Sequence, residues 1–257
     1  MAFEELYLVS TRVAPVDDAA IDALLADNGI DPPGGYREFL TRFGLGEICG
    51  FLMLLAPDEV RRWRREEGAE LMSDEWLFNT VAEQWGACGV TFEQYRGGMA
   101  LWSTNQRPSF YALPGHGPRV FQVDVGEVVC HERGMIDMIP AAAHLMGDMS
   151  FPYFEPRRPG HVREMYDPNP GVETEPFVAA VLERWGDGVR RLRSDQDDYC
   201  LNLFARPIQT RFACWREEAS DPRRLTHLGV SYDVEEEDEL HDFLRTFVGD
   251  LDGQRVL

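Results

Sequence analysis

The chain contains no lysine: its 25 fixed side-chain cations are all arginines, set against 45 carboxylates for a formal charge of −20. Chemistry that needs a side-chain amine, such as Schiff-base formation, is therefore excluded. A field of that sign repels phosphate backbones and attracts basic surfaces, so direct nucleic-acid binding is not expected. Codon usage rich in G and C favours arginine and would produce the same balance without any function. Cysteine is sparse. Cys49, Cys88, Cys130, Cys200 and Cys214 lie far apart, form no CxxC pair and total an odd number. That pattern argues against a disulfide framework or a structural zinc site. Long apolar runs are missing too: the most apolar stretch, Ile48 to Ala56, falls well short of the ~20 residues that cross a bilayer. The first residues, Met1-Ala2-Phe3-Glu4-Glu5, carry acid where a secretory signal carries base. The expectation is a soluble cytoplasmic protein. Hydrophobic residues at 44% and charged residues at 27% over 257 positions are enough to build one large or two modest cores.

Catalytic signatures are also lacking. The chain has no GxSxG, no glycine-rich phosphate loop and no HExxH. His116, His131, His144, His161, His227 and His241 include no close pair that would set two metal ligands on one element. Cys130-His131-Glu132 places a thiol beside an imidazole, but neighbours on a strand point to opposite faces and cannot meet. Asp195, Asp197 and Asp198 lack the glycine and distal glutamate of a calcium loop and read as a hairpin turn. Glu235-Glu236-Glu237-Asp238-Glu239 reads as a helix start, where carboxylates favour the dipole, and docking of a basic partner is compatible with that. No metal, no cofactor and no enzymatic activity are expected.

What is present is a succession of short elements. Asp17 or Asp18 caps a helix through Ile21, Leu24 and Leu25 that ends near Asn28-Gly29. Pro32-Pro33 leads into a second helix with Tyr36, Phe39, Leu40 and Phe43 on one face, stopped by Gly44 and Gly46. Phe51–Leu55 reads as a strand, Pro57 opens a helix, and Trp76, Phe78, Val81 and Trp85 fit another. Strands follow at Val90–Tyr95, Met99–Ser103, Ser109–Leu113, Arg119–Val123 and Glu127–His131, then a helix at Met135–Leu145. Prolines 152, 156, 159, 168 and 170 resist helix and central strand, so residues 151–171 read as a linker or surface connection. Beyond it come a helix from Pro176, strands at Gly188–Leu192, Tyr199–Ala205, Thr210–Glu217 and Arg224–Val234, and a helix from Glu237 to Val248. The order predicts an α+β protein: residues 1–150 form a mixed or antiparallel sheet flanked by helices, and residues 172–257 a smaller helix-on-antiparallel-sheet module that could instead extend the first.

The stretch Ile30-Asp31-Pro32-Pro33-Gly34-Gly35-Tyr36-Arg37-Glu38-Phe39-Leu40-Thr41-Arg42-Phe43-Gly44 resembles the opening signature of the SUKH superfamily: a proline, a tyrosine-bearing helix, Phe-Leu and a glycine turn. Phe51–Leu55 and Pro57-Asp58-Glu59-Val60 follow in the family's order. The resemblance covers about Asp17 to Met149. It implies an α/β scaffold and, in the bacterial branch, an immunity protein that neutralises a secreted polymorphic toxin, often a nuclease. Such a toxin is basic around its substrate site, which suits an acidic inhibitor. A regulatory scaffold or adaptor is the alternative, and an enzyme with a site assembled only in three dimensions is a third class. Glu47, Trp102, Asp124, Glu127 and Glu132 are the expected partner contacts, since acids and aromatics gather around the predicted sheet and its turns.

Overall fold

The structure is a computed structural model describing residues 3–63, 65, 75–103, 108–124, 126–145, 150–193, 200–215, 223–249 and 254–255. A two-residue strand β1 (Tyr7–Leu8) precedes α1 (Asp18–Asn28). Helix α1 begins where the Asp17 carboxylate accepts the Ala19 N–H at 3.4 Å. It ends at Gly29, whose φ of +62° lets its N–H return to the Ala26 carbonyl at 3.1 Å. Helix α2 (Tyr36–Phe43) buries Tyr36, Phe39, Leu40 and Phe43 at the spacing of one helical face. Two glycines then let backbones approach closely. A Cβ on Gly44 (φ +77°) would lie 2.0 Å from the Ala14 carbonyl oxygen, and one on Gly46 would lie 2.3 Å from that of Glu155.

Strands β2 (Gly46–Ile48) and β3 (Leu52–Leu54) lead to α3 (Pro57–Trp63), α4 (Glu75–Asn79) and α5 (Ala82–Ala87). The aromatic run expected as one helix is thus two, parted at Thr80-Val81. Val90–Tyr95, expected as a strand, instead contains α6 (Phe92–Arg96). Here the Thr91 hydroxyl accepts from Gln94 N–H while the Gln94 side chain accepts from Thr91 N–H, a reciprocal cap that overrides β propensity. Next come β4 (Met99–Ser103), β5 (Pro108–Ala112), β6 (Val120–Asp124), β7 (Glu127–His131) and α7 (Met135–Leu145), which carries Pro140 inside it.

The interval 151–171 is not a structureless linker: it holds β8 (Tyr153–Pro156) and β9 (His161–Tyr166). Its prolines flank or end the strands, where no ladder donor is lost. The remaining elements are α8 (Thr174–Trp185), β10 (Val189–Arg193), β11 (Cys200–Ala205), β12 (Thr210–Trp215), β13 (His227–Asp233), α9 (Glu237–Leu244) and β14 (Gln254–Arg255). The strands form an eight-stranded sheet, β1-β8-β2-β3-β4-β5-β6-β7, and a six-stranded sheet, β10-β11-β12-β13-β9-β14. Pairing is antiparallel from β8 through β7 in the first and throughout the second. The protein is α+β. No described helix is long and apolar enough to cross a membrane.

The chain divides into two units. One comprises residues 1–6, 13–142 and 154–157; the other comprises 7–12, 143–153 and 158–257. In the first, Phe39 of α2 meets Phe43, Trp102 and Phe154 at ring separations of 5.0, 6.1 and 5.0 Å. A neighbouring cluster gathers Trp63, Phe78, Trp85, Tyr95, Tyr111 and Phe121. In the second, α8 and α9 cover one sheet face, packing Phe177, Val181, Leu240 and Leu244 against Leu203, Phe212 and Val230. Each such fully buried side chain stabilises the fold by about 1.5–3 kcal/mol.

The second unit also contains a buried ion pair. Asp233, at the end of β13, lies 2.5 Å from Arg158 and 2.9 Å from Arg12, and the Asp233 and Arg158 side chains are each only 5% exposed. The N-terminal segment 7–12 is thereby pinned to β13. Asp233→Ala would remove the carboxylate that a buried guanidinium faces, so urea denaturation is expected to show a loss of about 3–5 kcal/mol. Glu93→Ala, which removes an exposed pair with Arg96, should cost no more than about 0.5 kcal/mol. Equal small losses would show that Asp233 is not holding the unit together.

Candidate functional site

The acidic residues expected to face a partner are separated by the sheet that carries them. β7 is the last strand in its sheet, and across its ladder with β6 Asp124 stands opposite Glu127. Glu127 is exposed, Val129 beyond it is 36% exposed, and Glu132 just past the strand is exposed as well. The Asp124 side chain lies outside the described residues. Glu132 is paired with Arg119 at 2.9 Å, so part of its charge is met within the chain. Gln84 of α5 closes one end of the strand edge: its Nε2 donates to the Gly126 carbonyl at 2.9 Å and its Oε1 accepts the Val128 N–H at 2.5 Å. That closure blunts an otherwise open ladder.

Trp102 and Glu47 do not belong to this surface. Trp102 is wholly buried, because β4 runs between β3 and β5 and packs it near Phe39. It is a core residue and not an interface anchor. Glu47 is 8% exposed on β2, opposite Met53 of β3 and Glu155 of β8, itself 1% exposed. A carboxylate in an interior strand with neighbours on both sides is not displayed to a partner. The expected set therefore reduces to the β6–β7 hairpin and the residue that follows it.

Cys130-His131-Glu132 behaves as strand geometry dictates. His131 turns inward, stacks near Phe110 and bonds Gln122 at 3.2 Å; burial lowers its pKa and favours the neutral ring. Cys130 faces the other way, its thiol donating to Glu132 at 3.5 Å. Burial first, and then the Glu132 carboxylate, push that thiol up to about 12. The thiolate, which is the nucleophile, is thus suppressed at neutral pH.

The acidic run beginning at Glu235 lies where a helix start was expected. Residues Val234–Glu236 form a short 3-10 turn leading into α9. Glu235 and Glu236 meet Arg12 at 2.9 and 3.4 Å, and Glu239 accepts the Trp185 Nε1–H at 3.2 Å. Asp195, Asp197 and Asp198 lie outside the described residues.

One polar constellation has no counterpart in the sequence reading. Glu164 of β9 is 6% exposed, and its Oε2 accepts the hydroxyls of Tyr166 and of Tyr232, the latter at 2.8 Å. His241 of α9 brings Nε2 within 3.2 Å of the Tyr166 oxygen and 3.8 Å of Glu164. Burial, followed by the bond to Glu164, holds the Tyr166 hydroxyl far above its ordinary range, so it remains a donor. Two donors already occupy the carboxylate oxygen, which makes the group a structural anchor beneath α9. The alternation Val162, Glu164, Tyr166 signals the strand, but the surrounding prolines mask it.

Among the described residues no group of three or more His, Cys, Asp or Glu is placed to hold a metal ion. No family model, no curated protein and no solved structure matches the chain.

The thiol geometry gives a direct test. With Cys130 protonated, its alkylation by iodoacetamide at pH 8 should be far slower than that of a free cysteine and should accelerate only as pH rises toward 12. Glu132→Gln removes the like charge and should speed the reaction at pH 8, as read by peptide mass spectrometry. Alkylation at the free-cysteine rate in the unmodified protein would contradict the arrangement.

Proposed function

We propose that this chain is a cytoplasmic immunity protein that binds a basic toxin domain, such as a nuclease, and neutralises it stoichiometrically. The observation that carries the reading is the distribution of charge. The arginines are largely occupied within the chain: Arg37 with Asp18 and Asp22, Arg61 with Asp27 and Asp58, Arg133 with Asp137, Arg157 with Glu59, and Arg191 with Glu175. Carboxylates exceed arginines by 45 to 25, so the surplus is left to act on whatever approaches. Exposed Glu127 and Glu132 flank exposed Val129, an arrangement suited to a basic surface with some apolar area. The resemblance to the SUKH superfamily supports the same reading from α2, whose signature residues Tyr36, Phe39, Leu40 and Phe43 make up its buried face. Binding without catalysis is supported by the suppressed Cys130 thiolate and by Glu164, whose Oε2 already accepts two tyrosine hydroxyls.

The test is a search for a toxin domain encoded beside this gene, followed by co-expression of the two; absence of such a neighbour counts against the proposal. A one-to-one complex and restored growth are expected. Glu127→Arg combined with Glu132→Arg should slow association by about ten-fold at low salt while leaving the unfolding transition in place. If no complex forms, the proposal fails. If a complex forms with an intracellular protein that has no toxic activity, the chain belongs with regulatory adaptors instead.

A further inference from the structure

The second unit contains a small region where the sign of the charge is reversed. On the sheet face opposite α8 and α9, Phe204 of β11 supports a group of rings: Tyr7 at 5.0 Å, Tyr153 at 4.9 Å and Phe151 at 6.3 Å. Arg190 of β10, paired across the ladder with Phe204, lays its guanidinium 3.8 Å from the Phe151 ring centre and 5.1 Å from that of Tyr7. Arg206, in the 3-10 turn after β11, lies 5.6 Å from the Tyr7 ring. Both arginines are exposed and Tyr7 is half-buried. Elsewhere in this acidic chain exposed arginines such as Arg12, Arg96, Arg133 and Arg157 meet carboxylates, while Arg42 lies over the Phe43 ring. Here, among the described residues, neither guanidinium makes an ion pair, and both rest on aromatic faces.

That difference has a chemical consequence. A guanidinium stacked on a ring is held in place while its N–H edge stays available, whereas one paired with a carboxylate has already used its fork. Two such groups around one tyrosine ring offer two positive charges and up to ten N–H donors. A single carboxylate would match only one of them. A phosphate monoester, with a charge of about −1.5 to −2 and three acceptor oxygens, matches both. Burial raises the pKa of the Tyr7 hydroxyl against the pull of Arg206 and Arg190, so it remains a proton donor to an anion. We propose that Arg190, Arg206 and Tyr7 form a binding site for the phosphate monoester group of a small molecule, independent of the surface assigned to the toxin.

Calorimetric titration of the intact protein with inorganic phosphate in one arm and a nucleoside monophosphate in the other tests this. Saturable one-site binding with a Kd near or below about 1 mM is expected in at least one arm. Equal affinity in both arms would identify the bare phosphate as the ligand group, and tighter nucleotide binding would show that a ring is held as well. Arg190→Ala and Arg206→Ala should each weaken binding by about ten-fold or more, as expected when a charge-assisted forked contact is lost. Arg190→Lys should weaken it too, because the point charge lacks the fork. Arg184→Ala, at an exposed arginine that pairs with Glu239, should leave binding unchanged. Thermal unfolding of each variant checks that it is folded, and Arg206→Ala carries the test if Arg190→Ala is not. The proposal is overturned if neither ligand saturates the protein up to about 10 mM, or if the folded double variant binds as the unmodified protein does.

Discussion

One guanidinium shared between two or more carboxylates is the recurring answer to the constraint that shapes this chain, its excess of acid over base. Arg37 joins Asp18 and Asp22 on α1 to α2; Arg61 joins Asp27 at the end of α1 to Asp58 at the start of α3. Arg12 gathers Asp233, Glu235 and Glu236 around the start of α9. With 25 cations for 45 anions, one-to-one pairing is impossible, and the planar fork of arginine suits bridging better than the point charge of lysine would. Most of these contacts are exposed, and each contributes only a few tenths of a kcal/mol. Their effect lies in position: they relieve repulsion where two acidic segments must converge.

The exception is the buried end of the network. Asp233 faces Arg158 out of contact with water, so removing either member of the pair is costly. It explains why residues 7–12 group with 158–257 although the whole of residues 13–142 separates them in sequence. Neutralisation is thus local and specific, and the surplus carboxylates remain outward. The Arg190–Arg206 pair rests on rings instead of acids and brings two guanidinium groups around one tyrosine. Under the two proposals, the acidic hairpin and the basic ring cluster would select opposite kinds of ligand on a single chain.

The elements legible in the sequence were those whose signals are local. Asp17 and Gly29 bracket α1, and the 3.6-residue spacing of Tyr36, Phe39, Leu40 and Phe43 defines α2 and its buried face. Elements defined by long-range pairing were not legible. β2 is three residues long and exists because β3 and β8 flank it, while β8 and β9 sit among prolines that looked like a linker. At α6, aromatic residues suggested a strand, and the Thr91–Gln94 cap decided otherwise. The candidate site divided along the same line. Glu127 and Glu132 are exposed beside their turns, since chain reversal brings residues to a rim. Trp102 and Glu47 were not, because residue type does not reveal whether a strand is interior. The Glu164 cluster is assembled from β9, β13 and α9, so the local pattern at Val162, Glu164 and Tyr166 could mark a strand but not its distant partners Tyr232 and His241.

The central claim is that the uncompensated carboxylates act at a distance on a basic partner, and its most direct test is the association rate of chain and toxin domain against ionic strength. The account predicts that the rate falls steeply as the Debye length shrinks from about 30 Å at 0.01 M salt to about 8 Å at 0.15 M, with the dissociation rate nearly constant. An association rate indifferent to salt would contradict it, and would mean that the charge of this protein has no part in finding its partner.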